Sequence, residues 1–119
     1  MAKILVCGGR DFKDYSFVAD VLEEYHTERG GIEMLIQGGA QGVDFLAQEW
    51  AYENNVPCLR VPAQWYKYKK AAGPIRNTKM LHLGQPDLVI AFPGGKGTKS
   101  MTLLAEGAGI KVVRYGEQK

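Results

Sequence analysis

Three apolar runs in this chain end in paired glycines, and these turns are the residues best suited to chemistry. Residues 88–98 read Leu-Val-Ile-Ala-Phe-Pro-Gly-Gly-Lys-Gly-Thr. A buried strand stops at Pro93, and Gly94, Gly95 and Gly97 bare the backbone just before a helix opens. Backbone N–H groups at a helix start, with no side chains to block approach, form a cradle for an anion. Thr98 adds its hydroxyl, and Lys96 stands within the same loop. The loop is not a Walker A motif, because Lys96 precedes the last glycine instead of following it. The structural alternative is a tight turn that takes glycine for its backbone angles.

Two further turns repeat the pattern. Residues 37–44, Gln-Gly-Gly-Ala-Gln-Gly-Val-Asp, place Gly38, Gly39 and Gly42 between a strand and a helix whose first turn holds Asp44. That carboxylate either stabilises the helix dipole by a fraction of a kcal/mol or accepts hydrogen bonds from a ribose hydroxyl. Residues 7–12, Cys-Gly-Gly-Arg-Asp-Phe, offer close backbone approach at Gly8 and Gly9 and one guanidinium. Arg10 either clamps a phosphate bidentately or pairs with Asp11 or Asp44 across the loops. A fourth segment, Gly73-Pro74-Ile75-Arg76-Asn77, puts a cation in the first turn of a helix that proline opens well. A cation is unfavourable at that positive end unless an anion shares the site; the alternative is that Arg76 snorkels to solvent.

Trp65, Tyr66 and Tyr68 alternate with Lys67, Lys69 and Lys70. Such a stretch closes over the base of one nucleotide, stacks the bases of a single strand, or packs on the domain as a solvated face. His26 and His82 read as helix-surface histidines, and Cys7 and Cys58 as small core residues of strands. No metal-ligand spacing and no Ser-His-Asp or Cys-His arrangement can be argued. Asp87 and Glu106 are isolated and receive no chemistry.

Those residues need a scaffold that alternates strand and helix. Strands are expected at residues 3–7, 33–37, 58–61, 87–92 and 111–114. Helices are expected at residues 15–28, 42–55, 73–83 and 99–108, with Asp14 a cap for the first. Short alternation implies parallel pairing with right-handed crossovers. The expectation is one α/β domain over residues 1–119: a three-layer Rossmann-like sandwich with a five-stranded parallel sheet in the order 3-2-1-4-5. The chain then reverses between strands 1 and 4, so the 8–9 and 94–95 glycine pairs flank the switch-point crevice. In that order Cys7 and Cys58 stand roughly 9–10 Å apart, too far for a bridge.

With 119 residues, 45% hydrophobic and 24% charged, the composition is that of a globular domain rather than a disordered chain. A net charge of +2 is too small to argue for duplex DNA by charge alone. No apolar run approaches the roughly 20 residues that span a bilayer, so no membrane partner is expected. The start is unlike a signal peptide, and a cytoplasmic location is the expectation.

Taken together, Gly-Gly-Arg-Asp-Phe, Gly-Gly-Ala-x-Gly-Val-Asp, Pro-Ile-Arg-Asn-x-x-Met and Phe-Pro-Gly-Gly-x-Gly-Thr resemble the SLOG superfamily of Rossmann-like nucleotide-binding domains. More narrowly, the chain resembles its small stand-alone members related to YspA and YpsA. The resemblance implies a nucleotide or nucleotide-derived ligand, a signalling nucleotide or NAD derivative among them; no other cofactor is identified, and the spacing of the residues gives no metal. It places phosphate on residues 94–98 with Arg76, and ribose near residues 8–11 and 38–44. Trp65 would then lie nearest the base. The LOG phosphoribohydrolases of the superfamily carry a Pro-Gly-Gly-x-Gly-Thr-x-x-Glu signature and a catalytic arginine in Arg-x-x-x-Met. Pro93, Gly94, Gly95, Gly97 and Thr98 match the first and Arg76 and Met80 the second, but the glutamate position is Met101. Cleavage of an N-glycosidic bond needs a carboxylate, so Asp11 or Asp44 would have to replace it. The DNA-processing protein A domain, a further relative, implies single-stranded nucleic acid as a third alternative. Relatives that pair through helices imply a homo-oligomer, with Tyr25, Tyr52 or the aromatic segment as its surface.

Overall fold

The computed structural model describes residues 1–116. Five parallel strands, β1 (Ala2–Cys7), β2 (Ile32–Gln37), β3 (Cys58–Arg60), β4 (Leu88–Ala91) and β5 (Lys111–Arg114), form one sheet ordered β3-β2-β1-β4-β5. The expected Rossmann-like order is therefore the observed one. Register pairs Cys7 with Ala91 and Gln37 with Arg60, so the strands carrying the glycine turns end at one rim.

Side-chain alternation divides the core in two. Ile4, Val6, Leu35 and Ile90 point to the face covered by α1 (Tyr15–Glu28) and α2 (Val43–Glu53). Leu5, Cys7, Ile36, Val89 and Ala91 point to the opposite layer, where Met80, Met101 and Ala105 meet them. These come from α4 (Ala72–Gly84) and α5 (Lys96–Gly107). Strands buried on both faces read as continuous apolar runs, which is why the sequence marked them clearly. Asp14 caps α1 by accepting from the Phe17 N–H at 3.1 Å. Gly30 and Gly31, both at positive φ, then turn the chain into β2.

Several expectations are corrected. Cys58 is exposed rather than core, because β3 is a three-residue edge strand whose outer side faces solvent. His26 is no plain surface residue: its Nδ1 accepts from the Ile32 N–H at 3.2 Å, and its ring stands edge-on to Trp50. Tyr25 is buried, its hydroxyl accepting from the Tyr115 hydroxyl at 3.1 Å, so it offers no surface for a second subunit. The segment before α4 forms a short helix, α3 (Trp65–Tyr68), and a 3-10 turn, Lys69–Ala71, that the weak periodicity did not announce. Helix α5 starts three residues early, taking Gly97 into its first turn against helix propensity.

Candidate functional site

The three glycine turns lock together before any ligand is considered. The Gly9 N–H donates to the Pro93 carbonyl at 2.8 Å, and the Gly9 carbonyl accepts from the Val43 N–H at 3.2 Å. This contact needs glycine at two places. Gly42 has a φ of 80°, and a Cβ there would strike the Gly9 carbonyl. A Cβ at Gly94 would sit 2.8 Å from the Gly9 nitrogen and against the Thr98 hydroxyl. Both serve loop packing.

Gly95 and Gly97 differ. Neither has a positive φ, and a Cβ added at either meets nothing within 4 Å. Packing requires glycine at neither, yet both stand bare at the start of α5. They face a cleft of about 700 Å³ at the switch point between β1 and β4.

The cleft gathers most of the residues singled out from sequence. The β1 turn contributes Gly8, Gly9 and Arg10; α2 contributes Asp44; the segment after β3 contributes Trp65. Arg76 and Asn77 enter from α4, and Gly95, Lys96, Gly97 and Thr98 from α5. Gly38, Gly39, Gly42, Pro93 and Gly94 lie behind this wall and shape it rather than line it. Asp11 is exposed and outside the lining. Sequence reasoning missed Lys70 and Ser100 as lining residues; Lys70 belonged to the basic aromatic stretch, whereas nothing marked Ser100.

Arg76 does not reach for solvent. Its Nη1 donates to the Gly38 carbonyl at 2.7 Å and its Nε to Asn77 Oδ1 at 2.9 Å. Asn77, buried, donates from Nδ2 to the Gly97 carbonyl at 3.5 Å. One chain of hydrogen bonds therefore ties the β2 turn, the guanidinium and the bare α5 turn into a fixed arrangement. Partial burial lowers the Arg76 pKa, opposed by Asp44 and assisted by Arg10, so a half-buried cation is held here at a cost.

Asp44 Oδ2 accepts from the Gly38 N–H at 3.1 Å and from the Ala40 N–H at 3.2 Å. Burial pushes its pKa up to about 6, against the lowering effects of those two donors, Arg76 and Arg10. Among the described residues the ion pairs are Arg29–Glu24 and Arg114–Glu106, neither lining the cleft. The pairings open to Arg10 from sequence, with Asp11 or Asp44, are not formed; its guanidinium lies 5.5 Å over the Trp65 ring instead. At the floor, burial pushes the Cys7 thiol up to about 12, which leaves it protonated and unreactive. Met101 is 1% exposed beside it. Among the described residues no group of three metal-ligating side chains occurs. Nor, among them, is any helix long and apolar enough to cross a membrane.

Comparison with known proteins bears on the family and the fold. Residues 2–68 match the sequence model of YAcAr, the YspA, cpYpsA-related SLOG family. The gene 61 protein of Mycobacterium phage D29 is 34% identical over 126 residues, covering 99% of each chain. The X-ray structure of TM1055, 21% identical, superposes with a TM-score of 0.68 over 94% of this chain and 72% of that one. The molybdenum cofactor carrier protein of Chlamydomonas reinhardtii, 18% identical, gives 0.67 over 96% and 76%. These last two likenesses are of fold.

Proposed function

Because this chain belongs to the YspA, cpYpsA-related SLOG family, we propose that its cleft binds a nucleotide or nucleotide-derived ligand and serves as a sensing or binding domain. The observation that carries this reading is the pair Gly95 and Gly97: bare backbone that packing does not ask for, at a helix start facing a cationic cleft. In this reading a phosphate rests on the N–H groups of the first α5 turn, where the helix dipole favours it. Arg76 supplies a charge-assisted bond from a guanidinium already oriented by Gly38 and Asn77. Thr98 adds its hydroxyl, and Trp65 offers a face to the base. Asp44 accepts from the sugar.

Binding is favoured over hydrolysis by what the carboxylates are doing. Asp44 is engaged by two backbone N–H groups, Asp11 stands outside the lining, and Met101 fills the remaining position with an apolar side chain. The same fold, in the Chlamydomonas protein, belongs to a carrier of a small-molecule cofactor. The test is thermal shift against a panel of nucleoside monophosphates, diphosphates, dinucleotides and cyclic nucleotides. A ligand at 100 times its dissociation constant adds about 2.7 kcal/mol of stability. A melting temperature unmoved by the whole panel would defeat the proposal. Release of free base from a monophosphate, lost in Asp44→Ala, would replace it with an N-glycosidase.

A further inference from the structure

Four cationic side chains line the cleft: Arg10, Lys70, Arg76 and Lys96. The only carboxylate among its lining residues is Asp44, and its Oδ2 is already engaged by backbone N–H groups. One phosphate on the α5 turn accounts for Arg76 and its neighbour Lys96. It does not account for the other two. Lys70 comes from the segment that follows β3, and Arg10 leans toward that side to lie over Trp65. The second pair thus enters from the β1 turn and the segment after β3, and the first from α4 and the start of α5.

One contact holds Arg10 in place, and the backbone next to Lys70 is unusual. The indole of Trp65 carries the Arg10 guanidinium at 5.5 Å, a cation–π contact that fixes a long, exposed side chain. Lys69 adopts φ 53° and ψ −127°, a backbone region that non-glycine residues rarely enter, at the start of the 3-10 turn that carries Lys70. Strain of that kind persists where the surroundings over-determine it, and it concentrates at ligand clamps.

We infer that Arg10 and Lys70 form a second anion subsite beside Trp65, so that the ligand is a nucleotide carrying two phosphates rather than one. This rests on the proposed nucleotide site and specifies its ligand class. The second phosphate either extends the first as a 5′-diphosphate or stands on the sugar as a 3′,5′-bisphosphate. The chemistry recognised is the same, and the test separates the two.

The test is calorimetric titration of the whole chain with the four ribonucleoside 5′-monophosphates, their 5′-diphosphates and their 3′,5′-bisphosphates at fixed salt. For the preferred base, one of the doubly phosphorylated forms is expected to bind at least fivefold tighter than the monophosphate. That advantage should collapse toward unity in the Arg10→Ala, Lys70→Ala double variant. Both side chains are exposed, so the unliganded double variant is expected to melt with the wild type. An advantage below fivefold for both doubly phosphorylated forms, with the monophosphate still bound, would overturn the second subsite and leave the nucleotide site standing. An advantage that survives the double substitution would overturn the assignment to Arg10 and Lys70. No binding of any of the twelve would overturn both readings together.

Discussion

Replacing Gly97 by alanine should move stability and binding in opposite directions. Gly97 lies in the first turn of α5, without a positive φ, and a Cβ there meets nothing within 4 Å. Glycine in a helix costs about 0.5–1 kcal/mol relative to alanine, so Gly97→Ala should stabilise the unliganded protein by about that amount. With an unfolding entropy of about 2.1 cal/mol/K per residue, or about 250 cal/mol/K for the chain, the melting temperature should rise by about 2–4 °C. The same methyl would stand in the cleft, over the N–H groups proposed to hold the phosphate. Losing one charge-assisted hydrogen bond costs about 1.5–3 kcal/mol, equivalent to about ten- to hundredfold in affinity. Thermal melts without ligand, followed by calorimetry with the tightest nucleotide of the panel, measure both effects. A variant that melts lower than the wild type would show that Gly97 is required by the fold. One that binds as tightly would place the phosphate elsewhere. Either outcome defeats the argument from bare glycine.

Gly94→Ala should behave in the contrary way, losing on the order of 1–3 kcal/mol in denaturant unfolding, because its Cβ has no room between the Gly9 nitrogen and Thr98. Arg76→Ala should weaken nucleotide binding at least tenfold and also destabilise the unliganded protein by about 1–3 kcal/mol, since the Gly38 carbonyl and Asn77 Oδ1 lose their donor. Unchanged calorimetric affinity would remove Arg76 from the site. Burial raises the folded pKa of Asp44 to about 6, above the ordinary carboxylate value of 3.8, so the folded state holds more protons than the unfolded chain between those values. Its effect on stability is therefore unfavourable as pH rises from about 4 through 6, by roughly 3 kcal/mol in all. Asp44→Asn should flatten that part of the stability–pH curve, and a curve identical to wild type would refute the assignment. Lys69→Gly should raise the melting temperature by relieving the positive φ, an effect of about 1 kcal/mol; no rise would mean the turn is unstrained.

The sequence by itself determined the scaffold. Apolar runs such as residues 4–7 and 88–92, each closed by glycine, mark strands buried on both faces, and the helical spacing of Val18, Val21, Leu22 and Tyr25 marks α1. Local periodicity carries this information because burial on one or both faces imposes it along the chain. Gathering three glycine turns at one rim also followed, since parallel strands place all their carboxyl ends on the same side. What the turns do there was decided only in three dimensions. Gly42, Gly94, Gly95 and Gly97 look alike as letters; the first two are packed against neighbouring backbone and the last two face open space. Arg76 read equally as a solvent-seeking side chain or a ligand clamp until Gly38 and Asn77, one of them 38 residues distant, were seen to hold it. Whether a residue closes a turn or opens a cleft depends on atoms from other segments, and no local pattern records which segments those are.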